Sequence, residues 1–166
     1  MTPSAGGKRA LILAAPGSGS GKTVLQLALL QALSKSGVHV SAAKAGPDFI
    51  DPGFHALACG EASVNLDPWA MNEGRIQSLI SRQSGDHLLI EAMMGLYDGA
   101  ADGTGSAADL AMTLGAPVLL VVDAAKQSHS VAALVRGFRD HRPGLKLCGV
   151  IFNKVGSERH EAMLRA

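Results

Sequence analysis

The sequence predicts an α/β fold, a mostly parallel sheet with helices on both faces. Short, near-continuous apolar runs alternate with helix-length stretches, as expected of strands buried on both sides. Apolar residues make up 47% of the 166-residue chain and charged residues 17%, enough for one globular domain with its own core. Polar residues also collect just after the apolar runs, where open parallel sheets bind ligands.

The elements follow in order. Arg9–Ala15 is an apolar run stopped by Pro16-Gly17, which suits a buried strand. Lys22–Ser36 carries Val24, Leu25, Ala28, Leu29 and Ala32 at helical spacing and ends at Gly37. Val38–Ala43 is a second strand. Gly46–Gly53 (GPDFIDPG) is expected to be a loop, because its prolines and glycines break regular structure. Asp67-Pro68-Trp69 is placed to open a helix that continues through Arg75–Ser81. His87–Glu91 is the third strand, Gly95–Gly105 a loop, and Ser106–Leu114 a helix closed by Gly115. Pro117–Asp123 is a strand, Ser130–His141 a helix, Leu147–Phe152 a strand, and a last helix begins near Ser157. The expected strand ends thus carry the glycine loop, Lys44–Asp51, Glu91, Asp123 and Asn153.

Bulk properties exclude several classes. A net charge of +1 gives no basic face for nucleic acid. No apolar run reaches the roughly 18–20 residues that span a bilayer, and no secretory apolar segment follows Met1–Arg9. The expected location is the cytoplasm, without a membrane partner. The two cysteines, Cys59 and Cys148, show no metal-binding spacing. Cys148, inside an apolar run, is expected in the core. Residues 1–166 read as a single domain, and the stop within a helical stretch suggests a fragment of a longer chain.

Pro16-Gly17-Ser18-Gly19-Ser20-Gly21-Lys22-Thr23 lies between the first strand and the first helix. It matches the phosphate-loop pattern G-x-x-x-x-G-K-[ST], except that Pro16 stands at the first glycine. Small residues let backbone N–H groups approach a phosphate, and the helix starting at Lys22 points its positive end at the anion. Lys22 would reach the β- and γ-phosphates, and the Thr23 hydroxyl would ligate Mg²⁺. The bland alternative, a flexible Gly/Ser turn, fits poorly with a strand before it and an amphipathic helix after.

Mg²⁺ wants oxygen ligands. The candidates are Asp48, Asp51, Glu91, Asp98 and Asp123. Glu91 ends an apolar strand, where a carboxylate needs a metal or a cation beside it. Asp48 and Glu91 are favoured as functional; the alternative for Asp48, Asp51 and Asp98 is capping or turn chemistry, for Glu91 an ion pair, and Asp123 could simply hold the next turn. Lys44 is either a ligand for phosphate or substrate carboxylate or a solvated surface lysine. His55 is either a substrate contact or a capping or surface residue.

Together, Ser18–Thr23 (SGSGKT), Gly46–His55 (GPDFIDPGFH), Asn65–Trp69 (NLDPW), Glu91–Gly99 (EAMMGLYDG), Ser130–Val135 (SVAALV) and Gly149–His160 (GVIFNKVGSERH) resemble the N-terminal domain of cobyrinic acid a,c-diamide synthases. The PDFIDP and MGLYDG segments are far more specific than the phosphate loop. Dethiobiotin synthetase and cobyric acid synthase share the core but not these two segments. The resemblance implies a P-loop NTPase fold of the dethiobiotin synthetase-like type, with ATP and Mg²⁺ as cofactors. It also implies a tetrapyrrole (corrin) substrate, whose a and c acetate carboxylates are phosphorylated and then amidated with ammonia from glutamine.

By that resemblance Gly17, Ser18, Gly19, Ser20, Gly21, Lys22 and Thr23 hold the nucleotide phosphates, and Asn153 contacts adenine. Asp48, Glu91 and Thr23 hold the metal. Asp51 and Asp98 act with Lys22 in the reaction, and Lys44, Asp51, His55, Tyr97 and Asp98 meet the substrate. Two departures stand out. Gly17 replaces a bulkier residue, and Lys126–His129 (KQSH) replaces a GMAR-like run. Such enzymes need a C-terminal glutaminase domain with a nucleophilic Cys, and neither Cys59 nor Cys148 sits in such a setting. A homodimer is left open, as is the choice among cobyrinic acid, its cobalt-free form and a nickel sirohydrochlorin.

A competing reading is a ParA/MinD-like switch ATPase. Those loops carry an early lysine (KGGxGK[ST]), where this chain has Pro16, Gly17 and Ser18.

Overall fold

A computed structural model describes residues 7–166. Residues 1–6, which form part of the N-terminal stretch read above for an export signal, lie outside the described residues.

Six parallel strands form one sheet among the described residues. They are β1 (Arg9–Ala14), β2 (Val40–Ala45), β3 (Val64–Leu66), β4 (His87–Glu91), β5 (Val118–Asp123) and β6 (Leu147–Asn153), in the order β3-β2-β4-β1-β5-β6. The helices are α1 (Lys22–Lys35), α2 (Asp51–Cys59), α3 (Glu73–Ser81), α4 (Ala107–Leu114), α5 (Val131–Asp140) and α6 (Glu158–Arg165). Every strand therefore delivers its carboxyl end to the same edge, and β1 lies between β4 and β5 at the centre.

Alternation along the strands divides the core. Leu11, Val40, Ala42 and Leu89 pack with Leu29, Leu30 and Leu33 of α1 and with Ala58 and Cys59 of α2. Leu13 and Val121 meet Leu25 on the same helix. Ile12, Ala14, Ala43, Leu88 and Ile90 face the other way, onto Ile76 and Ile80 of α3, Leu110 and Leu114 of α4, and Leu134 and Phe138 of α5. Neighbouring strand residues thus serve opposite faces, as the period of two requires.

The predicted α/β class holds, but four local expectations do not. The second strand runs two residues later than expected, so Lys44 lies inside β2 and is buried. The Gly46–Gly53 loop ends early because Asp51 starts α2. Pro52 occupies the first turn, where a missing N–H leaves no bond unmade. Asp67-Pro68-Trp69 forms a turn closed by Met71 N–H donating to the Asp67 carbonyl at 2.9 Å. The helix begins only at Glu73, capped by the Asn72 side chain accepting from Arg75 N–H. Cys148 is exposed, because β6 is an edge strand. The three-residue strand β3 also went unread. It contains polar Asn65, and its short run lacks a hydrophobic pattern.

Candidate functional site

The phosphate loop bridges β1 and α1. Gly21 precedes α1 with φ +90, a conformation in which side chains are strained. A Cβ there would also stand 2.3 Å from Asn153 Nδ2. The loop is tied down from below. Asn153 Nδ2 donates to the Ser20 carbonyl at 2.9 Å, and Lys154 Nζ donates to the Gly19 carbonyl at 3.1 Å and to Asp123 Oδ2 at 2.6 Å. Ser20 Oγ donates to the Gly17 carbonyl at 3.0 Å. These bonds leave the loop's N–H groups free to face an anion.

Lys22 is buried, and its ammonium donates to the Met94 carbonyl at 2.6 Å and the Gly17 carbonyl at 3.3 Å. Burial lowers its pKa, partly countered by Glu91. Met94 is held at φ +51, a left-handed conformation uncommon for a non-glycine residue.

Beside the loop, β2 and β4 place Lys44 opposite Glu91 in the ladder. Lys44 Nζ lies 3.2 Å from Glu91 Oε1 and 3.6 Å from Asp48 Oδ2, and it donates to Asp51 Oδ2. Glu91 Oε1 accepts from the Thr23 hydroxyl at 2.5 Å. Glu91 Oε2 lies 2.9 Å from His55 Nε2, and His55 Nδ1 is 3.4 Å from Ser63 Oγ. Burial pushes the Glu91 carboxyl up, but the bonds from His55, Thr23 and Lys44 outweigh it and hold the group below its ordinary value. Burial opposes the Lys44 charge too, and Asp51 with Glu91 raises its pKa above normal.

Lys22, Thr23, Lys44 and Glu91 therefore line one cleft, and Lys44 ties Asp51 and Asp48 to it from behind. One Asp48 oxygen already accepts from the N–H groups of Ile50 and Asp51, at 2.8 and 2.9 Å, leaving the other to face Lys44. The Asp48 carboxyl is pushed up by burial, but those backbone bonds and Lys44 draw it below normal. Asp98 Oδ2 accepts from Gly95 N–H at 2.8 Å and lines an adjoining cleft.

Two expected substrate contacts lie elsewhere. His55 is wholly buried behind Glu91 and is not a surface residue. Tyr97 donates to the Phe138 carbonyl at 2.5 Å and packs tilted against Phe138 and edge-on to His141 in the α5 region, away from the phosphate cleft. Asp123 pairs with Lys154, as a turn-holding residue would. Sequence reading missed the Met94 carbonyl and Lys154. No side-chain pattern announces a backbone acceptor, but Lys154 directly follows the flagged Asn153. His55 carried a signal in its spacing of four from Cys59, a buried helical stripe.

The donor set suits Mg²⁺. A hydroxyl and a carboxylate oxygen, Thr23 Oγ1 and Glu91 Oε1, stand side by side at the start of α1. No cluster of three or more His, Cys, Asp or Glu residues suited to a metal occurs among the described residues. Such a sparse set fits an ion that keeps water and phosphate oxygens in its shell. No helix among the described residues is long and apolar enough to cross a membrane.

Residues 11–166 match the family described as CobQ/CobB/MinD/ParA nucleotide binding domain. Similar relatives are named hydrogenobyrinate a,c-diamide synthase. That of a Sinorhizobium species is 57% identical over 157 residues, covering 93% of this chain and 36% of the relative. That of Rhizobium meliloti (strain 1021) is 54% identical over 157 residues, covering 93% and 37%. That of Brucella anthropi is 56% identical over 160 residues, covering 95% and 37%. The chain thus spans little more than a third of the length of the relatives it matches.

Proposed function

The chain belongs to the CobQ/CobB/MinD/ParA nucleotide binding domain family, and from that premise we propose that it uses ATP–Mg²⁺ to activate side-chain carboxylates of a corrin precursor for amidation. One observation carries this. Two lysines, Lys22 and Lys44, converge on the cleft that holds Thr23 and Glu91. A cleft that must bring an anionic carboxylate to an anionic triphosphate needs that positive charge.

Lys22 and the N–H groups of Gly17–Thr23 bind the phosphates, exchanging the Met94 and Gly17 carbonyls for phosphate oxygens. Thr23 and Glu91, with Asp48 beside them, hold Mg²⁺. Bound there, the ion would neutralise phosphate charge. Lys44 screens the incoming carboxylate, Asp51 fixes the Lys44 ammonium, Asp98 faces the substrate from the adjoining cleft, and Asn153 borders the adenine. A substrate carboxylate oxygen attacks the γ-phosphorus, the bond to ADP breaks, and an acyl phosphate forms. Ammonia then adds to its carbonyl carbon, phosphate departs and a proton is released, leaving the amide. Placement dominates such a transfer.

The name of the relatives, hydrogenobyrinate a,c-diamide synthase, supports hydrogenobyrinic acid as the substrate, and we take its a and c acetate arms as the sites of amidation, with cobyrinic acid as the alternative. We place the ammonia-producing glutaminase in the part of those relatives that this chain does not span, and the enzyme in the cytoplasm. The relatives give no support to a ParA/MinD-like switch.

Lys22→Ala tests the phosphate assignment. Calorimetric titration should show ATP–Mg²⁺ affinity at least about tenfold below wild type, since a charge-assisted bond of about 1.5–3 kcal/mol is lost. Equal affinity would remove Lys22 from the site.

A further inference from the structure

Beside the phosphate cleft lies a second, more enclosed one. Gly46, Met93 and Ala107 line it together with Trp69 and Asp98, and Met94 lines both clefts. Trp69 is the chain's single tryptophan, yet it leaves 66% of its surface exposed. An indole contributing to the core would be largely buried.

This indole stands on a fixed turn. Asp67 Oδ1 accepts from the N–H groups of Trp69 and Ala70, at 2.9 and 3.2 Å. From the other side Gly105, at φ +76, lies so close that a Cβ there would stand 2.5 Å from Trp69 Cβ. The backbone of two separate loops is thus arranged to hold an exposed aromatic ring at the mouth of a cleft next to the phosphate loop.

The chemistry of the lining narrows the ligand. No lysine, arginine or histidine lines this cleft, and its charged members, Asp67 and Asp98, are both acidic. It is built to meet a flat apolar body, not to pair with carboxylate arms. The cations are across Met94, at Lys22 and Lys44. We propose that Trp69 is a stacking platform for the face of the macrocycle, holding the ring in the second cleft while one acetate arm reaches past Met94 to the phosphate site. This assigns Trp69 as a specificity-determining residue and rests on the corrin reading above.

The test follows hydrogenobyrinic acid binding by the ligand's own absorbance in wild type, Trp69→Phe and Trp69→Ala, alongside indole emission of wild type. Melting temperature and ATP–Mg²⁺ affinity report that the variants fold. Trp69→Ala should bind the corrin acid about tenfold more weakly, from the loss of one stacked ring. Trp69→Phe should keep most of the affinity. Wild-type indole emission should be quenched on binding, because the macrocycle absorbs in that range and would lie against the ring. Unchanged affinity in Trp69→Ala, or binding without quenching, overturns the platform. A wild-type chain that holds ATP–Mg²⁺ but binds no corrin acid overturns the corrin reading and the platform with it.

Discussion

Glu91 Oε2 lies 2.9 Å from His55 Nε2, and both side chains are almost wholly excluded from solvent. The ring aims one carboxylate oxygen inward and leaves Oε1 to Thr23 and Lys44. His55 therefore orients the Glu91 carboxylate, acting from behind it.

His55→Asn should weaken ATP–Mg²⁺ binding about tenfold, the lower end of the loss seen when a ligand's supporting partner is removed. ATP binding without Mg²⁺ should be unchanged. Calorimetry with and without the ion separates the two, and equal losses in both would mean that His55 only supports the fold.

Glu91→Gln should abolish the advantage of Mg²⁺ over metal-free ATP, since a neutral amide is a poor ligand for a hard cation. Mn²⁺ binding followed by paramagnetic resonance gives a second reading. Retention of the metal preference would shift the ligand role to Asp48.

Buried Lys44 pairs with both Asp51 and Glu91. Lys44→Met should leave these two carboxylates uncompensated and lower stability by about 3 kcal/mol. ATP–Mg²⁺ should restore part of that loss by supplying the missing positive charge, measured as a larger rise in melting temperature than in wild type.

Asp109 completes the α4 capping box with Ser106 and accepts from Arg142 at 2.5 Å. Burial opposes its charge, but Arg142 and Ser106 prevail and hold its carboxyl below the ordinary range. A lowered native pKa stabilises the fold above the unfolded pKa, and that stability is lost as pH falls through the native one. Asp109→Asn should therefore cost about 1 kcal/mol at neutral pH. The gap to wild type should begin to close near pH 4, around the unfolded aspartate value, and vanish at lower pH. A gap independent of pH would show that charge at Asp109 is irrelevant.

The sheet was legible because its strands are continuous apolar runs ending in Glu91, Asp123 and Asn153, and α1 because its apolar spacing starts at Lys22 and stops at Gly37. The start of α2 was hidden by Pro52 and Gly53. Both break helices in mid-course, but Pro52 is harmless in a first turn. The sequence leaves Lys44 between a ligand for phosphate or carboxylate and a surface lysine, because only the β2–β4 register reveals its partner. His55 and Tyr97 sit in motif segments, but which side of the sheet each ring meets depends on packing that no local pattern encodes.

Carboxylate activation is tested most directly by incubating the chain with ATP–Mg²⁺, hydrogenobyrinic acid and hydroxylamine, and measuring ADP and hydroxamate. The cleft built from Lys22, Lys44 and Glu91 predicts that both products form together, depend on the corrin acid and disappear in Lys22→Ala. ADP release indifferent to the corrin acid, with no hydroxamate, would contradict it.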